Sequence, residues 1–263
     1  MCNAIDINEL EPVARPLLPI FFVLDTSGSM EGQPISMLNH AMEEVIEIVG
    51  NFADSNPDAL LKIGVLQFSS GAKWMQPKGL EEFEDFIYAP LTARGLTDMG
   101  AALDELNKKL SRESFLVSTT GRCKPIIIFM TDGQPTDNWE EALKKINEKN
   151  KWYQNSIKIG FAVGDNANTL ILSQIVGNSE AVIQTSDLET FNILLQKVAI
   201  NSAMIGSKSH IEGDTPSAKD IVKGSMEEVT LKDVKTAKEG GVTVKPSTPK
   251  QSNLDPWGPD DWD

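Results

Sequence analysis

Histidine, cysteine and positive charge are all scarce in this sequence of 263 residues, and each scarcity removes a class of function. The two histidines are His40, inside a helical pattern, and His210, in a polar stretch. Neither a histidine-rich metal centre nor a Ser-His-Asp triad can be assembled from them. The two cysteines are Cys2, in a polar N-terminal lead, and Cys123, directly before an apolar run. They leave no disulfide framework and point to a reducing compartment. Lys and Arg number 24 against 38 Asp and Glu, for a formal net charge of −14. That balance argues against nucleic acid or an anionic membrane as ligand, and a solvated acidic surface is its simplest reading. The apolar runs are too short to cross a bilayer. The opening MCNAIDINELEPVARP is acidic and has no apolar signal-peptide core. No P-loop is present. The expectation is a cytoplasmic protein with no nucleic-acid or membrane partner, monomeric by itself.

What is present is a regular alternation of strand and helix signals. Hydrophobic residues make up 40% of the chain, enough for a core. Ile20 to Leu24 reads as a strand buried on both faces. Ile35, Leu38, Met42, Val45, Ile48, Val49 and Phe52 then recur at helical spacing. Leu60–Phe68 is a second strand, with an edge strand around Ala72 to Met75. A helix opens from Gly95–Leu103 and continues to Leu110. Pro125–Met130 is the most apolar strand. Trp139, Ala142, Leu143 and Ile146 mark another helix, Ile157 to Val163 a strand and Thr169 to Val176 a short helix. A short strand at Ala181–Gln184 and an amphipathic helix through Leu188, Phe191, Leu194, Leu195 and Val198 close the pattern. This order predicts an α/β fold of three layers, a mostly parallel central sheet with helices on both faces.

Residues 1–17 read as a lead, 18–205 as the domain and 206–263 as a polar, disordered tail without a core of its own. The tail ends in Asp255-Pro-Trp-Gly-Pro-Asp-Asp-Trp-Asp263. Two tryptophans among acids and prolines there fit either a docking peptide or an uneventful tail.

The strongest local signal is Asp25-Thr26-Ser27-Gly28-Ser29, at the carboxyl end of the first strand. That edge is where ligands sit in open α/β sheets. One carboxylate and two hydroxyls on a tight turn are hard oxygen donors, suited to Mg²⁺ or Mn²⁺. Two further oxygen donors follow later boundaries: Thr97 in the loop opening the third long helix, and Asp132 after the strand ending at Met130. Asp98 and Asp137 lie near these residues but can each serve as cap for the helix that follows.

Asp-x-Ser-x-Ser, Thr97 in a Gly-x-Thr-x-x-Gly-x-Ala-Leu setting and Asp132-Gly133 after an apolar strand together resemble the metal-ion-dependent adhesion site of von Willebrand factor A (VWA) domains. The resemblance covers about Leu18 to Ile205. It implies a Rossmann-like fold in which Asp25, Ser27, Ser29, Thr97 and Asp132 hold Mg²⁺ (or Mn²⁺) directly or through water. One coordination position would stay open for an Asp or Glu of a partner protein. Within such domains, Pro19–Met30 with Gly32-Gln-Pro-Ile35, Phe129–Trp139 and Phe161–Gly164 resemble the bacterial tellurite-resistance-associated TerY type. That likeness implies a non-enzymatic module working beside a protein kinase and a PP2C-type phosphatase in stress or phage defence. Two alternatives are a substrate-recruiting partner of a MoxR-type AAA+ ATPase and a phosphohydrolase of the haloacid dehalogenase type. The second needs an aspartate two residues after the first as proton shuttle, and position 27 is serine.

Overall fold

The computed structural model describes residues 15–164, 167–208 and 216–239, the last stretch with side chains as far as Val229. Its centre is β1 (Leu17–Asp25), every residue of which is buried. Alternation splits the strand between two cores. Leu18, Ile20, Phe22 and Leu24 face one layer, and Phe21 and Val23 face the other. Burial of a Phe or Leu of this kind stabilises a fold by roughly 1.5–3 kcal/mol. A charged residue among Leu18 to Leu24 would therefore have no tolerable face.

From β1 the chain passes through α1 (Gln33–Ser55) to β2 (Leu60–Ser69), which pairs parallel to β1. Two short antiparallel strands, β3 (Gly71–Trp74) and β4 (Glu81–Glu82), close the β2 edge. The chain then reverses direction across the sheet. It runs through α2 (Met99–Lys109) to β5 (Ile126–Thr131), on the opposite side of β1. α3 (Trp139–Lys149) and the single turn α4 (Lys151–Asn155) lead to β6 (Ile157–Val163). α5 (Thr169–Val176) leads to β7 (Val182–Thr185), and α6 (Leu188–Lys208) follows. The sheet order is β3-β2-β1-β5-β6-β7, with β4 also on β2. Because the winding reverses at β1, a crevice opens between the carboxyl ends of β1 and β5, where open α/β sheets take ligands.

α1 and α6 cover one face, with Leu38, Met42, Val45, Phe191, Leu195 and Val198 all buried there. α2, α3 and α5 cover the other through Leu103, Leu106, Ile146 and Ile175. The expected three-layer architecture is thus present.

One correction concerns the expected tail. Gly206 to Lys208 complete α6, and residues 218–239 form a further helix, α7 (Ala218–Glu239). Ile221 and Val222 are each only 3% exposed and join the α1/α6 core. The Ser225 hydroxyl accepts from Asn201 Nδ2 at 3.0 Å, and Lys197 Nζ meets Glu228 Oε2 at 2.5 Å. A helix that borrows an existing core needs few apolar residues of its own, so low hydrophobicity did not signal disorder here. Residues 240–263, with Trp257 and Trp262, lie outside the described residues.

Candidate metal centre

Three loops meet at the β1–β5 crevice, and each is held there by backbone bonds to its neighbours. The turn after β1 is anchored on β2, because the Thr26 N–H and hydroxyl both donate to the Phe68 carbonyl at 2.8 and 3.0 Å. It is anchored on the loop before α2 as well, where Gly28 N–H donates to Gly95 O at 3.0 Å and Arg94 N–H to Thr26 O at 2.8 Å. Gly95 takes φ +83°, and a side chain there would also strike the Ser70 hydroxyl.

Asp25 is fully buried at the end of β1. Its Oδ1 accepts from Ser27 N–H at 2.8 Å and its Oδ2 from the Thr131 hydroxyl at 2.5 Å. The Ser27 and Ser29 hydroxyls lie 3.0 Å apart, and Ser29 donates to Asp132 Oδ1 at 2.9 Å. A Cβ on Gly133 would stand 3.3 Å from Ser29 Oγ, 3.5 Å from Asp25 Oδ2 and 3.5 Å from Thr97 Cγ2. Asp25, Ser29 and Thr97 therefore border one small space, which the absent Gly133 side chain keeps open, and hydrogen bonds tie Ser27 and Asp132 to Ser29 at its edge. The Thr97 hydroxyl makes no hydrogen bond among the described residues, although the residue is only 6% exposed.

The electrostatics of this space call for a cation. Burial pushes the Asp25 carboxyl up from its ordinary value despite the hydrogen bonds from Ser27 and Thr131, and Asp132 adds repulsion. Burial likewise raises Asp132, which the Ser29 hydroxyl only partly offsets. No basic side chain among the described residues contributes to either shift. Two desolvated carboxylates and three hydroxyls form an oxygen-only donor set, which fits a hard divalent ion and not a thiolate-seeking one. Among the described residues no group of three or more His, Cys, Asp or Glu forms a competing metal site.

The neighbouring aspartates do not take the capping duties that sequence suggests. Asp98 precedes α2, yet its side chain makes no cap there. It accepts from Gly71 N–H at 2.7 Å and from the Thr136 hydroxyl at 3.3 Å. Asp137 does not cap α3, whose N-cap is Asn138. Its two oxygens reach across to the first turn of α2 and accept from Gly100 and Ala101 N–H, each at 3.0 Å. Thr136 holds Thr97 on both sides: Thr97 N–H donates to its hydroxyl at 3.0 Å, and its own N–H donates to Thr97 O at 2.9 Å. Thr131 and Thr136 thus support the site, and sequence reasoning passed over both. A hydroxyl that ends an otherwise apolar strand, as Thr131 does, was the available clue.

Comparison with known proteins agrees with this fold. Residues 20–134 match the family model described as von Willebrand factor type A domain. Proximal thread matrix protein 1 from the mussel byssus, in a structure with a zinc-occupied MIDAS motif, superposes with TM-score 0.53 at 20% identity, over 72% of this chain and 48% of that one. The von Willebrand factor type A protein from Catenulispora acidiphila gives TM-score 0.51 at 17% identity, over 71% of this chain and 43% of its own. The pilus adhesin SpaC from Lactobacillus rhamnosus GG gives 0.55 at 14% identity, over 72% and 30%. The chain spans about half the length of the mussel protein and less of the other two. The fold is that of a VWA domain, and its neighbours include one with an occupied metal site.

Proposed function

From a chain that carries a VWA domain, we propose a non-enzymatic binding module that captures a carboxylate of a partner protein through a bound divalent cation, Mg²⁺ in the cell. The observation that carries this reading is the convergence of Asp25, Ser27, Ser29, Thr97 and Gly133 on one space, with Ser29 bridging to Asp132. Asp25 and Asp132 would supply charge, and the three hydroxyls would supply neutral oxygens. The cation, when bound, provides a Lewis-acidic positive centre for an incoming carboxylate. Mg²⁺ takes about six oxygens and keeps waters readily, so a set of five protein donors, some acting through water, leaves room for one more. Thr131 fixes the Asp25 carboxylate and Thr136 fixes Thr97, roles in which outer partners tune metal affinity.

An enzymatic reading finds less support. The Ser27 hydroxyl lies 3.0 Å from that of Ser29 and interacts with the Asp25 carboxyl, so it is engaged within the donor set itself. The narrower TerY-type setting, with a kinase and a PP2C-type phosphatase, rests on sequence motifs alone, and recruitment to a MoxR-type ATPase is its rival. The carboxylate mechanism is tested with Mn²⁺ in the full chain and acetate as probe. Acetate should displace bound water and lower the relaxation enhancement of solvent protons, and formamide should not. Unchanged relaxation at saturating acetate would rule the mechanism out.

A further inference from the structure

α7 has a direction that bears on the metal edge. α6 begins with Leu188, just after the carboxyl end of β7, and runs away from that edge. α7 returns antiparallel to it, because Asn201 meets Ser225 and Lys197 meets Glu228. Continuing that register at 1.5 Å per residue brings the last turn of α7 level with the first turn of α6. The chain therefore leaves α7 at the same end of the domain as Asp25 and Asp132. Residues 240–254 can extend to about 50 Å. Crossing from β7 to β1 is three strand spacings, about 15 Å.

That edge also carries features a solvated surface does not need. Leu96, beside Thr97, is 57% exposed, and Leu170 and Leu188, at the starts of α5 and α6, are 74% and 39% exposed. A cleft of about 340 Å³ lined by Thr26, Ser70, Lys73 and Arg94 adjoins the metal loop. Lys73 and Arg94 have no acidic partner among the described residues, in a chain of formal charge −14. The surface thus offers a cation site, two unpaired basic groups and scattered apolar side chains. A ligand that answers all three is acidic and aromatic together. The segment Asp255-Pro-Trp-Gly-Pro-Asp-Asp-Trp-Asp263 has that composition, with four carboxylates and two tryptophans.

We propose that residues 255–263 of this chain bind its own metal edge in cis, one aspartate reaching the cation and the others facing Lys73 and Arg94. This inference rests on the metal-dependent reading above. It makes the module self-inhibited: a partner must displace a tethered ligand whose effective concentration is in the millimolar range.

The test uses two full-length chains, wild type and D255N/D260N/D261N/D263N, with a fluorescein-labelled peptide of residues 250–263 as probe. Peptide binding is read by anisotropy, and Mg²⁺ binding by calorimetry in parallel. In Mg²⁺ the variant should bind the peptide, and wild type should bind it at least about 10-fold more weakly because its own segment occupies the site. EDTA should abolish binding, and Arg94→Glu in the variant background should weaken it several-fold. Equal binding by both chains, or no binding by a variant that still takes up Mg²⁺, overturns the proposal and leaves the metal site standing. Failure of both chains to bind Mg²⁺ removes the metal reading and this one with it. Peptide binding that survives EDTA, or a wild-type dimer that the four substitutions dissolve, also contradicts it.

Discussion

Single residues in this molecule show what burial does to charge. Asp25 sits where no basic group answers it, so its folded-state affinity for a proton exceeds that in the unfolded chain. Without metal, the stability due to the neutral carboxyl is then lost as pH rises through that raised value. Asp25→Asn should accordingly raise the metal-free melting temperature at pH 7, by about 2–4 °C if the gain is near 1 kcal/mol. The same variant should show no further shift with Mg²⁺, whereas wild type gains stability from the ion by mass action. A lower metal-free melting point for Asp25→Asn would contradict this. Lys158 is the opposite case: burial brings its ammonium down to about 8, although its Nζ donates to Tyr153 O at 2.7 Å and lies over the Tyr153 ring. Its folded value is below the unfolded one, so the penalty is complete below pH 8 and is relieved as pH climbs toward 10.5. The Tyr153 carbonyl also accepts from the Ser156 hydroxyl at 2.7 Å, so it is not orphaned when the lysine is removed. Lys158→Met should therefore melt higher than wild type at pH 7, with the gap narrowing by pH 9.5; a lower melting point at pH 7 would mean the carbonyl and ring contacts outweigh desolvation.

At the scale of elements, the site depends on how the loop after β5 clamps the start of α2. Asp137 satisfies two amides at the N-terminus of a helix that its own preceding residue, Asp98, leaves uncapped. Asp137→Ala should cost about 1 kcal/mol, as loss of an N-cap does, and should speed hydrogen exchange at the Gly100 and Ala101 amides. Unchanged exchange at those amides would show that the clamp contributes nothing. These roles explain where sequence reading succeeded and where it stopped. Apolar runs located β1, β2, β5 and β6, and helical spacing located α1, because their apolar residues face cores they help to build. The Asp-x-Ser-x-Ser turn was legible because its donors are contiguous. Asp98 and Asp137 were misassigned because capping from a distant loop leaves no mark in local sequence. α7 was missed because Ile221 and Val222 rely on a core made by α1 and α6.

At the scale of the whole molecule, the reversal of winding at β1 is the feature that makes a site possible. It brings the ends of β1 and β5 and the loop before α2 together, so that residues far apart in sequence become donors to one space. The acidic surface then gives Lys73 and Arg94, without an acidic partner among the described residues, their significance, since they line a cleft beside the metal loop where an acidic ligand meets attraction. The most direct test of the central claim is a calorimetric titration of the full chain with Mn²⁺, in wild type, Asp132→Ala and Ser29→Ala. One site per chain in wild type, lost from both variants while their circular dichroism is unchanged, is the predicted result. Absence of binding in wild type, or one-to-one binding that persists in both variants, would contradict it.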